Sequence, residues 1–167
     1  MDPARTTSEF ALRPFRLQDL DQIADIEKVC FPERPYTKLE FLLLAAQAGD
    51  GFIVAEDGEV ILGYVTTVVE SKVGLIMSIA VSPQFRRRGI GDSLVRLALN
   101  HLAECERVRL LVDPKNAAAI SLYRKHSFRE TGKTIRGYYP NGNDAIEMLN
   151  IINSSKARQS NSNFSAG

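Results

Sequence analysis

Three arginines and two glycines, Arg86, Arg87, Arg88, Gly89 and Gly91, stand in a spacing that could hold a phosphate group. Glycine has no Cβ, so a ligand can approach its backbone closely. The run Arg86-x-x-Gly89-x-Gly91 leads into Ile90, Leu94, Leu97, Ala98 and Leu102, apolar residues at helical spacing. The first N–H groups of such a helix are unpaired and carry the positive end of its dipole, which favours an anion. Upstream, residues 75–81 are mostly apolar, with Ile79 and Val81 β-branched, and predict a buried strand. Ser82-Pro83 ends that strand, because proline cannot donate to a ladder. Residues 75–102 are therefore a candidate pyrophosphate cradle fed by a strand.

Other phosphate loops fit less well. A Walker loop needs Lys-Ser/Thr after its second glycine, and Asp92-Ser93 follows here. A Rossmann fingerprint needs a third glycine, and position 94 is Leu94. The plain alternative is a basic loop followed by a capped helix.

The elements that must position this loop can be read on either side of it. Residues 10–16 alternate, Phe10, Leu12 and Pro14 against Ala11, Arg13 and Phe15, as a short edge strand. Leu20, Ile23, Ile26 and Cys30 mark one face of a first helix, with Asp19 and Asp21 at its N-terminus. Phe31-Pro32-Glu33-Arg34-Pro35 breaks it, since each proline restrains the residue before it. A second helix spans about residues 37–48, with Thr37 as N-cap and Glu40 at the capping-box position. Strands at 52–56 and 60–70 are joined by the tight turn Asp57-Gly58. After the long helix come a strand at 108–112, the loop Asp113-Pro114-Lys115-Asn116 and a helix over 117–126. Two final strands follow at 128–137 and 144–152. Strands alternating with helices predict one α/β domain over residues 10–152 with a mixed, partly parallel sheet. Residues 1–9 are expected to be a flexible N-terminus, and the polar, Ser- and Asn-rich residues 153–167 a disordered tail.

The bulk numbers exclude several classes. A net charge of +1 gives no nucleic-acid footprint. No apolar run reaches membrane-spanning length, and the N-terminus lacks the apolar core of a signal peptide, so the expected location is cytoplasmic with no membrane partner. Cys30 and Cys105 fall in predicted helices without metal-ligand spacing, which predicts buried thiols in a reducing compartment and no metal site.

The full order of strand, Pro83, Arg86-x-x-Gly89-x-Gly91 and amphipathic helix resembles the acetyl-CoA-binding motif of the GNAT superfamily of N-acetyltransferases. The segment from Asn116 to Tyr123, followed by Phe128, looks like the second half of the same site. Tyr138-Tyr139, the run from Asp144 to Met148 and the Cys30-Phe31-Pro32-Glu33 break are similar to the protein N-terminal acetyltransferases: the ribosomal-protein alanine enzymes, the archaeal N-α enzymes and the eukaryotic catalytic subunits. The resemblance spans about residues 12–149. It implies a single-domain mixed sheet of about seven strands flanked by about four helices, with acetyl-CoA as cosubstrate.

The resemblance also assigns roles by position. Pantetheine would lie along Ile79, Ala80 and Val81, with the Val81 N–H region as oxyanion donor, and the pyrophosphate would sit on Arg86, Arg87, Arg88, Gly89, Ile90, Gly91 and Asp92. Asn116 would bond a pantetheine amide, or cap its helix, or both. Tyr123, about two helical turns after Asn116, would be the general acid for the thiolate, against the alternative of a core tyrosine. Phe31, Pro32, Tyr138 and Tyr139 would wall a peptide slot, or the tyrosines could simply belong to an amphipathic hairpin. The sequence departs from its relatives at the base: Leu111 and Leu75 stand where they carry Glu, His or Tyr. Glu33 is the remaining candidate, as base, as a group placing the amine, or as a solvated loop carboxylate. His101 and His126 match no catalytic position and are assigned to the surface.

The implied function is acetyl transfer to a protein or peptide N-terminus. A lysine or small-molecule amine acetyltransferase, and a non-catalytic acetyl-CoA-binding module, remain alternatives. Involvement of a ribosome or an auxiliary subunit is left open.

Overall fold

The structure, a computed structural model, describes residues 10–152; the predicted flexible N-terminus and polar tail lie outside the described residues. The elements run β1 (Ala11–Pro14), α1 (Leu20–Cys30), α2 (Lys38–Ala48), β2 (Phe52–Asp57), β3 (Val60–Glu70), β4 (Val73–Val81), α3 (Ile90–His101), β5 (Arg107–Val112), α4 (Ala117–Lys125), β6 (Arg129–Ile135) and β7 (Ala145–Ile151). The strands form one seven-stranded sheet in the order β1-β2-β3-β4-β5-β7-β6.

Local chemistry explains the boundaries. Thr37 Oγ1 accepts from Glu40 N–H at 3.2 Å and the Glu40 carboxylate accepts from Thr37 N–H at 2.7 Å, so α2 begins with the reciprocal cap its sequence predicts. The hairpin loop is Gly58-Glu59, one residue on from the expected Asp57-Gly58, because Asp57 ends β2 paired with Val60; Gly58 takes the first loop position at φ 59°, where this kind of two-residue hairpin needs glycine. Among the described residues only β4 and β5 pair in parallel, and α3 is their crossover.

Each face of the sheet has its own core. On one side Ile23 and Ile26 of α1 and Phe41 and Leu44 of α2 pack on Phe52, Val54 and Tyr64. On the other, Ile90, Leu94 and Ala98 of α3 and Ile120 and Tyr123 of α4 pack on Val65, Ile76, Val108 and Phe128. Helices clamped on both faces hold the middle strands in place, and the site lies where two of those strands part.

Cys105 departs from the sequence expectation. It lies in the turn after α3, where its N–H bonds Leu102 C=O at 2.9 Å, because the helix ends at His101. The thiol is buried, while Cys30 at the end of α1 is half-buried.

Candidate active site

β4 and β5 pair only where Val73–Leu75 meets Arg107–Arg109. Beyond Leu75 they separate: β4 stays with β3 up to Val81, and β5 stays with β7 up to Val112. One side of β4 therefore has no strand partner from Ile76 onwards. Ser82 N–H donates to Leu62 C=O at 2.9 Å, which fixes the alternation of the β3–β4 ladder. Ile79 and Val81 then turn their peptide groups into the gap, while Ala80 turns to Tyr64 on β3. An extended amide chain laid in the gap would meet the first two, not Ala80. The Val81 carbonyl already accepts from Arg86 Nε at 3.2 Å and from the Cys30 thiol at 3.5 Å.

The cradle follows directly. A short 3₁₀ turn at Pro83–Phe85 leads to Arg87 at φ 62° and Gly89 at φ 77°, both left-handed. Ser93 N–H bonds Gly89 C=O at 3.0 Å, so the N–H groups of Ile90, Gly91 and Asp92 come before helical pairing begins. Arg86, Arg87 and Arg88 are exposed around them, with Arg88 lying over the Phe85 ring at 5.8 Å. The two glycines meet different needs. A Cβ on Gly89 would touch nothing within 4 Å, whereas one on Gly91 would lie 3.3 Å from Leu122 Cδ2 on α4. Gly91 thus serves helix packing, and Gly89 supplies the left-handed turn and an open approach. An unpartnered strand edge, three early helix N–H groups and a ring of arginines fit the amides and pyrophosphate of acetyl-CoA.

Asp92 turns its carboxylate away from this cradle. Lys125 Nζ lies 2.7 Å from it, and with Arg96 and His126 holds its pKa down to about 2. This corrects the surface assignment of His126: its side chain is only 12% exposed and its Nε2 lies 3.0 Å from Asp92 Oδ1, tying α4 to α3. His101 is exposed.

The residues expected to wall a peptide slot are on loops. α1 ends at Cys30, and Phe31, Pro32 and Glu33 lie exposed beyond it. The β6–β7 connection carries Tyr138 and Tyr139, whose rings meet edge to face at 5.0 Å. Burial, and then the nearness of Tyr138, pushes the Tyr36 hydroxyl up. Burial, and then Tyr138, Asp113 and Tyr36, pushes Tyr139 up to about 12. Burial, and then Tyr139, pushes Tyr123 up well beyond the usual phenol range. Tyr36 thus lies near the Tyr138–Tyr139 pair, and Tyr139 in turn near Tyr123. Tyr123 itself is 6% exposed and packs edge to face on Phe128 at 5.9 Å. Asn116 caps α4, its Oδ1 accepting Ala119 N–H at 3.1 Å.

Sequence reasoning missed Tyr36, Glu27, Tyr64 and Ser78. Glu27 is 2% exposed on the inner face of α1, accepting Tyr36 N–H at 3.0 Å and the Tyr64 hydroxyl. The Tyr64 hydroxyl in turn lies 3.1 Å from Ser78 Oγ on β4. A signal existed: Glu27 is four residues after the buried Ile23 and three before the half-buried Cys30, which places it on the inward face of the helix. Burial pushes the Glu27 carboxyl up, with Tyr64 and Tyr36 opposing that shift.

Comparison with known proteins agrees with this geometry. The model of the acetyltransferase (GNAT) family matches residues 20–128. An N-alpha-acetyltransferase of Sulfurisphaera tokodaii is 37% identical over 161 residues, covering 87% of this chain and 95% of that protein. The crystal structure of Ard1 from Thermoplasma volcanium superposes with a TM-score of 0.82 at 26% identity, covering 86% of this chain and 97% of that one. Arabidopsis thaliana Naa50, in complex with the bisubstrate analogue CoA-Ac-MVNAL, superposes with a TM-score of 0.75 at 26% identity, over 84% and 97% of the two chains. Strand gap, glycine cradle and sequence relationship together place the chain in the GNAT family of acetyltransferases, enzymes that use acetyl-CoA.

Proposed function

We propose that the protein transfers the acetyl group of acetyl-CoA to the α-amine of a protein or peptide N-terminus. The observation that carries this reading is the run of phenols from Tyr36, on the segment that follows the Phe31-Pro32 break, through the Tyr138–Tyr139 pair to Tyr123. Aromatic walls with hydroxyl tips suit the first peptide units of an extended chain. The relative from Sulfurisphaera tokodaii is named an N-alpha-acetyltransferase, and the Naa50 ligand joins CoA to a peptide. The amine chemistry points the same way. An α-amine has a pKa of about 7.7–8.0 against about 10.4 for lysine, so it is far more often neutral at physiological pH. That suits a site with leucine at both strand positions, 75 and 111, where relatives keep a base.

In this reading the peptide groups of Ile79 and Val81 and the side chain of Asn116 hold the pantetheine amides, and Arg86–Gly91 holds the pyrophosphate. Val81 N–H points at the oxyanion that forms when the amine attacks the thioester carbonyl. The C–N bond forms, the C–S bond breaks, and the Tyr123 hydroxyl donates to the departing sulfur. Because its pKa is raised, Tyr123 remains an O–H at every working pH; it gives its proton up only as the attacking nitrogen's proton replaces it. Glu33, exposed on the loop after α1, accepts a hydrogen bond from the attacking amine and places it.

The test is a rate comparison among a free-N-terminus peptide without lysine, an N-terminally blocked peptide with an internal lysine, and a polyamine. Only the first is expected to react well. Equal rates on the two peptides would assign lysine acetylation, a faster polyamine would assign a small-molecule enzyme, and acetyl-CoA binding without turnover would leave a sensing module.

A further inference from the structure

An α-ammonium arriving in the slot must lose a proton, and Leu75 on β4 and Leu111 on β5, the strands that part to form the gap, have side chains that cannot take it. Glu147 pairs with Leu111 across the β5–β7 ladder, but Arg109 lies 3.6 Å and Lys133 3.9 Å from its carboxylate. Glu33 is solvated. Glu27 differs from both. It is sealed between α1, the start of α2 and the sheet, and among the described residues it forms no ion pair. The groups that face it are the Tyr64 hydroxyl from β3, the backbone and phenol of Tyr36, the Cys30 thiol on its own helix and the Glu40 carboxylate from α2. None of these is a cation. A buried carboxylate so placed binds a proton more readily than one in water.

It also has a path to β4. The Glu27 carboxylate accepts from the Tyr64 hydroxyl, and Tyr64 Oη lies 3.1 Å from Ser78 Oγ. Ser78 is partly exposed, and its chain neighbour Ile79 turns its peptide groups into the gap. Thr66, paired with Ser78 across the ladder and on the Tyr64 face, is a fully buried hydroxyl without a hydrogen-bond partner among the described residues. Two hydroxyls, those of Ser78 and Tyr64, thus lead from a partly exposed position on β4 to one buried carboxylate.

We propose that Glu27 accepts the proton released by the substrate ammonium, reached through the hydroxyls of Ser78 and Tyr64. This rests on the amine nucleophile of the proposed function. The ammonium N–H bond breaks as its proton passes to Ser78 Oγ, directly or through one water. Ser78 gives its own proton to Tyr64 Oη, and Tyr64 gives its own to Glu27. The amine is then neutral, both hydroxyls are restored, and Glu27 is a carboxylic acid that returns its proton to solvent after turnover. Glu27 touches no substrate; it acts through two residues that do the relaying.

The alternative is purely mechanical, with Glu27 pinning α1 to β3 and to the backbone of Tyr36. The pH profile separates the two. The variants are Ser78→Ala, Tyr64→Phe and Glu27→Gln, with Glu33→Gln as control, each checked for folding by thermal melting and for acetyl-CoA affinity. On a free-N-terminus peptide the three relay variants are expected to lose about tenfold or more in kcat/KM at pH 6, where neutral amine is scarce, and to recover above pH 8, past the amine pKa of about 7.7–8.0. Glu33→Gln is expected to lose the same factor at every pH. An aminooxy-capped peptide, whose nucleophile stays neutral across this range, is expected to react equally with wild type and relay variants. If Glu27→Gln fails to fold, Ser78→Ala and Tyr64→Phe carry the test. A loss that is the same at every pH, or no loss at all, overturns the relay while leaving N-terminal acetylation standing. Wild type inactive on every free-N-terminus peptide would instead overturn the proposed function.

Discussion

Asn143 Nδ2 donates to Asp113 Oδ2 at 2.7 Å, joining the β6–β7 connection to the loop that follows β5. Lys115 Nζ reaches the same asparagine at 3.1 Å, and Tyr139 N–H bonds the Asn143 carbonyl at 3.0 Å. The tyrosine wall is therefore fastened to the segment that carries Asn116 and leads to Tyr123. Asn143→Ala should loosen that wall without touching the cradle. A hydrogen bond to a charged group contributes about 1.5–3 kcal/mol, so KM for a peptide should rise roughly tenfold while acetyl-CoA affinity holds. Steady-state kinetics with each substrate varied in turn would show it.

Gly89 and Gly91 should separate in a binding experiment. A methyl group on Gly89 meets nothing in the protein and projects into open space at the cradle, while one on Gly91 presses on Leu122. Gly89→Ala should weaken acetyl-CoA binding about tenfold in a folded protein, its φ of 77° adding backbone strain of about 1 kcal/mol. Gly91→Ala should act mainly on stability through the α3–α4 contact. Calorimetric titration and thermal melting distinguish the two.

Tyr123→Phe keeps the ring on Phe128 and removes only the hydroxyl. Its effect should appear as charge develops on sulfur, so kcat should fall about 10²-fold with acetyl-CoA affinity unchanged. Normal turnover in this variant would reduce Tyr123 to packing.

Asp92 should leave a mark on acid stability. Its folded pKa of about 2 lies below its ordinary 3.8, chiefly through Lys125. A depressed carboxylate contributes stability that is fully present above its unfolded pKa and is lost as pH falls through the folded one. Wild type should therefore lose stability between pH 3.8 and about 2, and Asp92→Asn should lose less over that window. Melting curves across this range at low salt test it.

The parts of the fold that were legible are those encoded in neighbouring residues. The strand-to-cradle order at residues 75–102, the Thr37–Glu40 cap and a tight hairpin at Gly58 each depend on a few consecutive positions, and the structure has all three, the hairpin loop being Gly58-Glu59 and not Asp57-Gly58. The illegible parts are meetings between distant segments. Tyr64 reaches Glu27 from 37 residues away, and Asp92 and His126 meet across 34. Glu27 shares a helical face with Ile23, but its partners Tyr36 and Tyr64 lie in other segments, so its helix alone gives no sign of what it bonds. The two glycines of one motif could not be told apart until α4 was seen beside Gly91.

The parallel contact between β4 and β5 is three residue pairs long. The seven strands are thus two half-sheets, β1 to β4 and β5 to β6, sewn together by a short seam. A cosubstrate laid against β4 would act as a temporary strand, extending that seam for as long as it stays. Folding stability would then rise with its concentration by mass action. Before turnover the protein would be braced by its own reactant, and after the thioester is spent and the product leaves, the two half-sheets would again be joined strand to strand only along the short seam at Val73–Leu75 and Arg107–Arg109, with the bond from Glu106 N–H to Lys72 C=O beside it.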